Sequence, residues 1–127
     1  MKRRTFLAAT PLLGAVAQTQ TPTAEPTLLH HVFFWLKNPA NTADRAQLIK
    51  GLKTLAGIPS IKKMHIGVLA STEKRDVVDT SWDVSELMYF NDEAGQKIYQ
   101  DHPIHLEFVK NYSHLWQKVI VYDSVDV

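Results

Sequence analysis

The stretches VFFWL (32–36) and VIVY (119–122) constrain this chain more than any other feature. Both are short and rich in β-branched and aromatic residues, the signature of strands. Successive side chains of a strand point to opposite faces, so a half-covered strand alternates apolar with polar. These two do not alternate, and both faces of their sheet therefore need cover. In a domain of about a hundred residues, helices can cover only one face. A bare second face would expose more large side chains than a soluble monomer usually tolerates. The expectation is a homodimer, in which a second copy covers that face about a two-fold axis.

The remaining elements fit between these strands. LLHHVFFWLK (28–37) reads as the first strand. A helix follows, with Asn41 or Thr42 as N-cap, Leu48, Ile49, Leu52 and Leu55 on one face, and Gly57 and Pro59 as its stop. IKKMHIGVLA (61–70) reads as a second strand and WDVSELMYF (82–90) as a third, across a charged loop. Asn91 or Asp92 caps a short helix that ends before Pro103. The apolar-periodic IHLEFVKNYSHL follows, and WQKVIVYDSV (116–125) is the last strand. The order β-α-β-β-α-β is a split βαβ arrangement, an α+β fold with helices on one face of a four-stranded antiparallel sheet.

Residues 1–17 read as an export signal rather than as part of this fold. Lys2, Arg3 and Arg4 precede the apolar run FLAATPLLGAVA, which is too short to span a membrane and ends in the A-x-A site Ala15-Val16-Ala17. The paired arginines before Thr5-Phe6-Leu7 resemble a twin-arginine signal, with an ordinary secretory signal as the alternative. Either sends the mature protein to the bacterial periplasm or beyond. Residues 18–27, rich in Thr, Gln and Pro, read as a flexible lead-in to a domain over 28–127. The signal holds three of the 14 basic residues and none of the 13 acidic ones, so the remainder is slightly acidic. It has no electrostatic footprint for nucleic acid or an anionic membrane. There is no cysteine, which excludes disulfides and a lipoprotein anchor.

Strand period sorts the polar residues into sets. His31, Phe33 and Trp35 oppose Val32, Phe34 and Leu36. Val84, Glu86, Met88 and Phe90 oppose Ser85, Leu87 and Tyr89, and Val119, Val121 and Asp123 oppose Ile120 and Tyr122. Periodicity does not say which set faces the helices.

From His31 to Asp123 the chain resembles the stress-responsive A/B barrel (Dabb) family. The resemblance rests on His31, Val32, Phe34 and Lys37 in the first strand, Gly67 in the second, and the helix led by Phe90. Its most specific part is Tyr99-x-x-His102-Pro103-x-His105, followed by LWQKVIVYD. It implies a ferredoxin-like monomer that pairs into a dimeric α+β barrel. A plant polyketide cyclase of that family has a cavity between sheet and helices, where a tyrosine and the second histidine act on the substrate. Those positions match Tyr99 and His105, while its first-strand histidine and terminal aspartate match His31 and Asp123. The resemblance thus implies that the His31, Phe33, Trp35 set lines the cavity with Val119, Val121 and Asp123. Glu86 departs from it, because an apolar residue is expected there.

The implied site has His105, Tyr99, His31 and Asp123 at its polar end, with Phe33, Trp35, Glu86, Met88, Trp116, Val119 and Val121 as ligand-binding wall. His105 would move a proton next to a carbonyl, oriented by Asp123, and Tyr99 would donate to the developing oxyanion. His102 reads as structural, capping the last carbonyls of the short helix. Glu86, if buried, needs a partner. His102-x-x-His105 straddles a proline rather than riding one helical face, so the reading includes no metal and no cofactor. Asp76, Asp79 and Asp83 read as solvated loop charges, His65 and His114 as surface residues, and Met64 as core or wall. Three functions remain open: a cofactor-free lyase or cyclase acting on an aromatic or oxo-rich small molecule, a non-catalytic ligand-binding or stress-protective dimer, and a cofactor-independent monooxygenase.

Overall fold

The computed structural model describes residues 27–127. The export signal expected over 1–17, and all of the expected lead-in except Thr27, lie outside the described residues. The elements run β1 (Leu28–Leu36), α1 (Thr42–Thr54), β2 (Lys63–Gly67), β3 (Val84–Phe90), α2 (Glu93–Asp101), α3 (Pro103–Tyr112) and β4 (Trp116–Val125). The sheet has the order β2-β3-β1-β4 and every neighbouring pair is antiparallel. This is the ferredoxin-like order expected, with the second helical region broken into two.

Local chemistry sets the breaks. Asn41 starts α1, its Oδ1 accepting from the Ala43 and Asp44 amides at 2.9 and 3.2 Å. Asp92 does the same for α2 through the Gly95 amide at 2.8 Å. Pro103 cannot continue α2 and forces His102 into extended geometry, with ψ 139°. His102 Nδ1 then accepts from the Ile104 amide at 3.1 Å and caps α3. The structural role expected of His102 holds, but it serves the helix that follows, not the carbonyls of the one before.

The core lies between the sheet and the helices. Leu28, Val32, Phe34 and Leu36 of β1 are buried there with Val84, Met88 and Phe90 of β3, Leu48 and Leu52 of α1, and Phe108 of α3. Each such side chain contributes about 1.5–3 kcal/mol. Gly51 brings α1 against α3, since a Cβ there would stand 2.7 Å from the Tyr112 ring. Asp83, at the entry to β3, is more than a solvated charge. Its Oδ2 accepts from the Leu36 amide at 2.8 Å, and Oδ1 lies 3.6 Å from Arg45 Nη2.

The opposite face of the sheet is open. Phe33 packs edge-on to Trp82 and Tyr122 at 5.2 and 6.0 Å between ring centroids, and the Lys118 ammonium sits 4.6 Å over the Trp35 ring. Tyr122 remains 63% exposed. The two-faced strands therefore have one face under helices and a second, aromatic face that no element among the described residues covers.

Candidate functional site

The β1 register corrects the expected cavity lining. His30 lies opposite Asp123 and Met88, and Val32 opposite Val121 and Glu86, so these side chains share the helix-facing side. His31 pairs with Tyr122 and Leu87, and Phe33 with Ile120 and Ser85, on the open face. The expected placement of His31, Phe33 and Trp35 in the cavity is therefore wrong, because neighbouring residues of paired strands must point the same way. His31 belongs to the open face, where burial and then its neighbour His65 hold the imidazole below its ordinary pKa. Trp35 donates its indole N–H to Ser81 Oγ at 3.1 Å. Met88 is on the expected face but sits wholly in the core.

Between β1, β3, β4 and the two later helices lies a cavity of about 210 Å³. Val32, Phe34, Phe108, Val109, Trp116, Val119 and Val121 give it apolar walls, and His30, Glu86, Tyr99, Gln100 and His105 give it polar groups. Its mouth lies beside β4, where Val119 and Val121 are exposed. A larger groove of about 410 Å³ runs outside α3, past Thr54, Ile104, Glu107 and Asn111. It brings no polar groups to a common point, and Glu107 is already engaged by the Asn111 amide at 3.2 Å.

The break at Pro103 delivers the two residues expected at the site. Tyr99 is buried in the last turns of α2 and His105 opens α3, with their rings 4.6 Å apart. His105 Nδ1 lies 3.0 Å from the Gln100 carbonyl oxygen. A carbonyl only accepts, so Nδ1 carries the proton of the neutral ring and Nε2 keeps its lone pair. Burial holds the imidazole below its ordinary pKa. The Gln100 carbonyl offsets part of this, and His30 adds to the lowering. His105 is thus a neutral imidazole near pH 7, with a free basic nitrogen.

The carboxylate expected to orient His105 has another partner. Asp123 Oδ1 lies 2.6 Å from His30 Nδ1, and His30 itself stands edge-on to Tyr99 at 5.5 Å. Asp123 therefore sets the His30 ring, and a backbone carbonyl sets His105.

Glu86 is 1% exposed. Its Oε1 accepts a long hydrogen bond from the Tyr99 hydroxyl at 3.4 Å, and Oε2 has no hydrogen-bond partner. Burial pushes its carboxyl up to about 8, with the Tyr99 hydroxyl pulling weakly the other way. Burial, and then Glu86, push the Tyr99 phenol above its usual range, so it stays a donor at any ordinary pH. Among the described residues no group of three or more His, Asp or Glu is disposed to hold a metal ion. No helix there is long and apolar enough to cross a membrane.

Sequence reasoning missed His30, Val32, Phe34, Gln100, Phe108 and Val109 as lining. One signal for β1 was available. The even-numbered set runs apolar from Leu28 to Leu36 apart from His30, whereas the odd-numbered set ends in Trp35 and Lys37, side chains suited to a partly wet face.

Residues 28–126 match the model of the Stress responsive A/B Barrel Domain, Dabb. No curated protein matches the sequence. Among solved structures, a Dabb family protein with a ferredoxin-like fold from Mesorhizobium loti is 23% identical. The match covers 81% of this chain and 99% of that one, with a TM-score of 0.66. A dimeric ferredoxin-like protein from Thermobifida fusca is 18% identical over 85% and 99%, also with a TM-score of 0.66. The hydroxynitrile lyase of Passiflora edulis is 20% identical over 80% and 94%, again at 0.66. At these identities the likeness to the three structures is one of fold.

Proposed function

Since the chain belongs to the stress responsive A/B barrel (Dabb) family, we propose that it is a cofactor-free lyase or cyclase, exported and homodimeric, acting on a small aromatic or oxo-rich molecule held between sheet and helices. One observation carries the reading. The break at Pro103 brings the rings of His105 and Tyr99 to 4.6 Å in the lining of one cavity, with the lone pair of His105 on Nε2.

A neutral imidazole can take a proton from a hydroxyl or from carbon next to a carbonyl. Tyr99, which stays protonated, turns its one proton from the long bond to Glu86 towards the oxygen on which negative charge develops. The proton on His105 then returns to the product or leaving group, so the ring ends as it began. His30, fixed by Asp123, closes the polar end. The apolar walls keep water away and strengthen each of these interactions. A hydroxynitrile lyase with the same fold supports this class of chemistry, since cyanohydrin cleavage needs only acid–base groups.

The open aromatic face supports the homodimer, as do the dimeric proteins of the same fold from Thermobifida fusca and Bacteroides fragilis. The export signal over 1–17 supports a periplasmic or secreted location.

His105→Ala and Tyr99→Phe test the reading against a panel of cyanohydrins and poly-oxo aromatics. Turnover by the wild type that falls by roughly 10²–10⁴ in His105→Ala, with the melting temperature little changed, supports it. A loss of stability with no turnover to lose would leave a ligand-binding dimer.

A further inference from the structure

Glu86 has no part in the chemistry above, yet it is buried in the cavity wall with one oxygen unpartnered. A buried carboxylate needs a cation or several donors, and each element packed about Glu86 fails to supply them. Across β1 its register partner is Val32, with His30 two residues along and already committed to Asp123 of β4. Across β2 its partner is Ile66. α1 brings buried Leu48 and Leu52, and α2 brings Tyr99, whose hydroxyl is its one donor. α3 brings His105, a neutral ring bonded to Gln100. No Lys or Arg lines the cavity.

We propose that Glu86 is held as a neutral carboxylic acid whose Oε2 hydroxyl donates a hydrogen bond to a carbonyl oxygen of the ligand, making the cavity selective for ketones and aldehydes over amines and carboxylates.

The geometry separates the ligand classes. Oε1 already accepts from Tyr99, so Oε2 is the atom free to carry the proton. An acid O–H on Oε2 gives a donor for one lone pair of the carbonyl oxygen, and the Tyr99 hydroxyl, whose single proton rests on Oε1, reaches the other only by giving up that long bond. An ammonium ligand would have to draw off the Glu86 proton and bury an ion pair with the Tyr99 hydroxyl as the one further donor to the carboxylate. A carboxylate ligand would find no cation, since neither Lys nor Arg lines the cavity. The position of Glu86 on β3, opposite the mouth beside β4, puts the bound carbonyl at the deep end and the ring among Phe34, Phe108 and Trp116. The carboxyl value of about 8 agrees with an acid that keeps its proton through neutral pH.

This inference rests on the cavity being a small-molecule site, as proposed above, but not on turnover. The test is equilibrium binding of acetophenone, benzylamine and benzoate to wild-type protein, Glu86→Gln and Glu86→Leu, followed by calorimetry and by the carbonyl stretch of bound acetophenone. Glutamine keeps a neutral donor and leucine removes it. At pH 6 acetophenone should bind wild type and Glu86→Gln alike, and Glu86→Leu about tenfold more weakly. Its carbonyl stretch should lie lower in the first two than in the third. Raising the pH to 9 should weaken binding to wild type and leave Glu86→Gln unchanged. Tighter binding of benzylamine or benzoate than of acetophenone, equal affinity of Glu86→Leu, or no binding of acetophenone by wild type each overturns it. If a misfolded Glu86→Leu gives no reading, a pH-independent wild type beside Glu86→Gln overturns it equally. Donor-dependent ketone binding without turnover of any substrate would remove the lyase reading alone. Turnover that depends on His105 but not on residue 86 would remove this inference alone.

Discussion

His30 Nδ1 and Asp123 Oδ1 stand 2.6 Å apart across the β1–β4 ladder, one group buried and the other half exposed. The pair ties the edge strand to the deep end of the cavity, and it fixes the His30 ring with a proton on Nδ1. Asp123→Ala leaves that buried N–H without its acceptor. The expected loss is about 1 kcal/mol, at the low end for a stranded donor because water can reach the vacated site. Asp123→Asn, which keeps an acceptor oxygen, should lose less. Urea unfolding of the three proteins at pH 7 orders them, and equal midpoints would show that the bond adds nothing.

Glu86 makes stability depend on pH in a direction opposite to most carboxylates. Its carboxyl rises from 4.5 unfolded to about 8 folded. Between these values the folded state holds a proton that the unfolded state has released, so stability falls as pH rises through this window. Above about 8 the whole penalty is present. Glu86→Gln removes the titration and should be more stable than wild type at pH 8.5 by roughly 1–3 kcal/mol, with the difference shrinking towards pH 5. Thermal melts of both proteins across that range measure it. Parallel curves would mean that Glu86 is solvated.

The same two groups set the pH profile of any turnover. His105 must be neutral to accept a proton, and burial holds it below 6.5, so kcat/KM should be flat at neutral pH and fall only in acid. Ionisation of Glu86 near 8 places a negative charge beside the oxygen that Tyr99 serves, and the profile should fall again there. In Glu86→Gln the alkaline limb should vanish while the acid limb stays. A profile unchanged by that substitution would separate Glu86 from the reacting centre.

The fold was legible because it follows from period and punctuation. Apolar runs marked the strands, while Asn41, Asp92 and Pro103 marked the helix boundaries, and β4 was read to the residue. The face of β1 carried one weak signal, the Trp35 and Lys37 end of its odd-numbered set, and was misread. His30 and His31 are adjacent, each can occupy either side, and both alternating sets around them are apolar. Only the pairing with β4 decides, since Asp123 comes opposite His30, and pairing register is a long-range property that one strand does not carry. The role of Asp123 failed for the same reason. Its approach to His30 instead of His105 depends on that register, and the Gln100 carbonyl that takes its place is backbone and invisible to a search for side chains.

Gly51 and Tyr112 test the helix layer. A Cβ at 51 would meet three ring carbons of Tyr112 at 2.7–2.8 Å, inside any real contact distance. Alanine favours a helix over glycine by about 1 kcal/mol, but overpacking costs typically about 1–3. Gly51→Ala should therefore be net destabilising. Gly51→Ala with Tyr112→Ala should lose less than the two single changes together, because the clash is gone. Denaturation of the four proteins closes the cycle, and simple additivity would mean that the ring moves aside freely.

The open face is the surface proposed for the homodimer, and its chemistry sets how such a pair should come apart. Phe33, Trp35, Trp82 and Tyr122 form the aromatic patch, with Phe33 central between the rings of Trp82 and Tyr122. Phe33→Glu places a charge where a partner would have to desolvate it, without touching the helix-side core, and should yield a folded monomer at micromolar concentration. His31 lies on the same face, held below its ordinary pKa by burial and by His65. A partner covering this face would bury the imidazole further and lower it again, so assembly favours the neutral ring and weakens as pH falls below 6.5. The dimer should thus loosen on mild acidification, and His31→Gln should blunt that response. Sedimentation of the three proteins at pH 7.5 and 5.5 measures both effects. A wild type that sediments as a monomer at pH 7.5, or a Phe33→Glu protein that remains paired, would place the partner elsewhere.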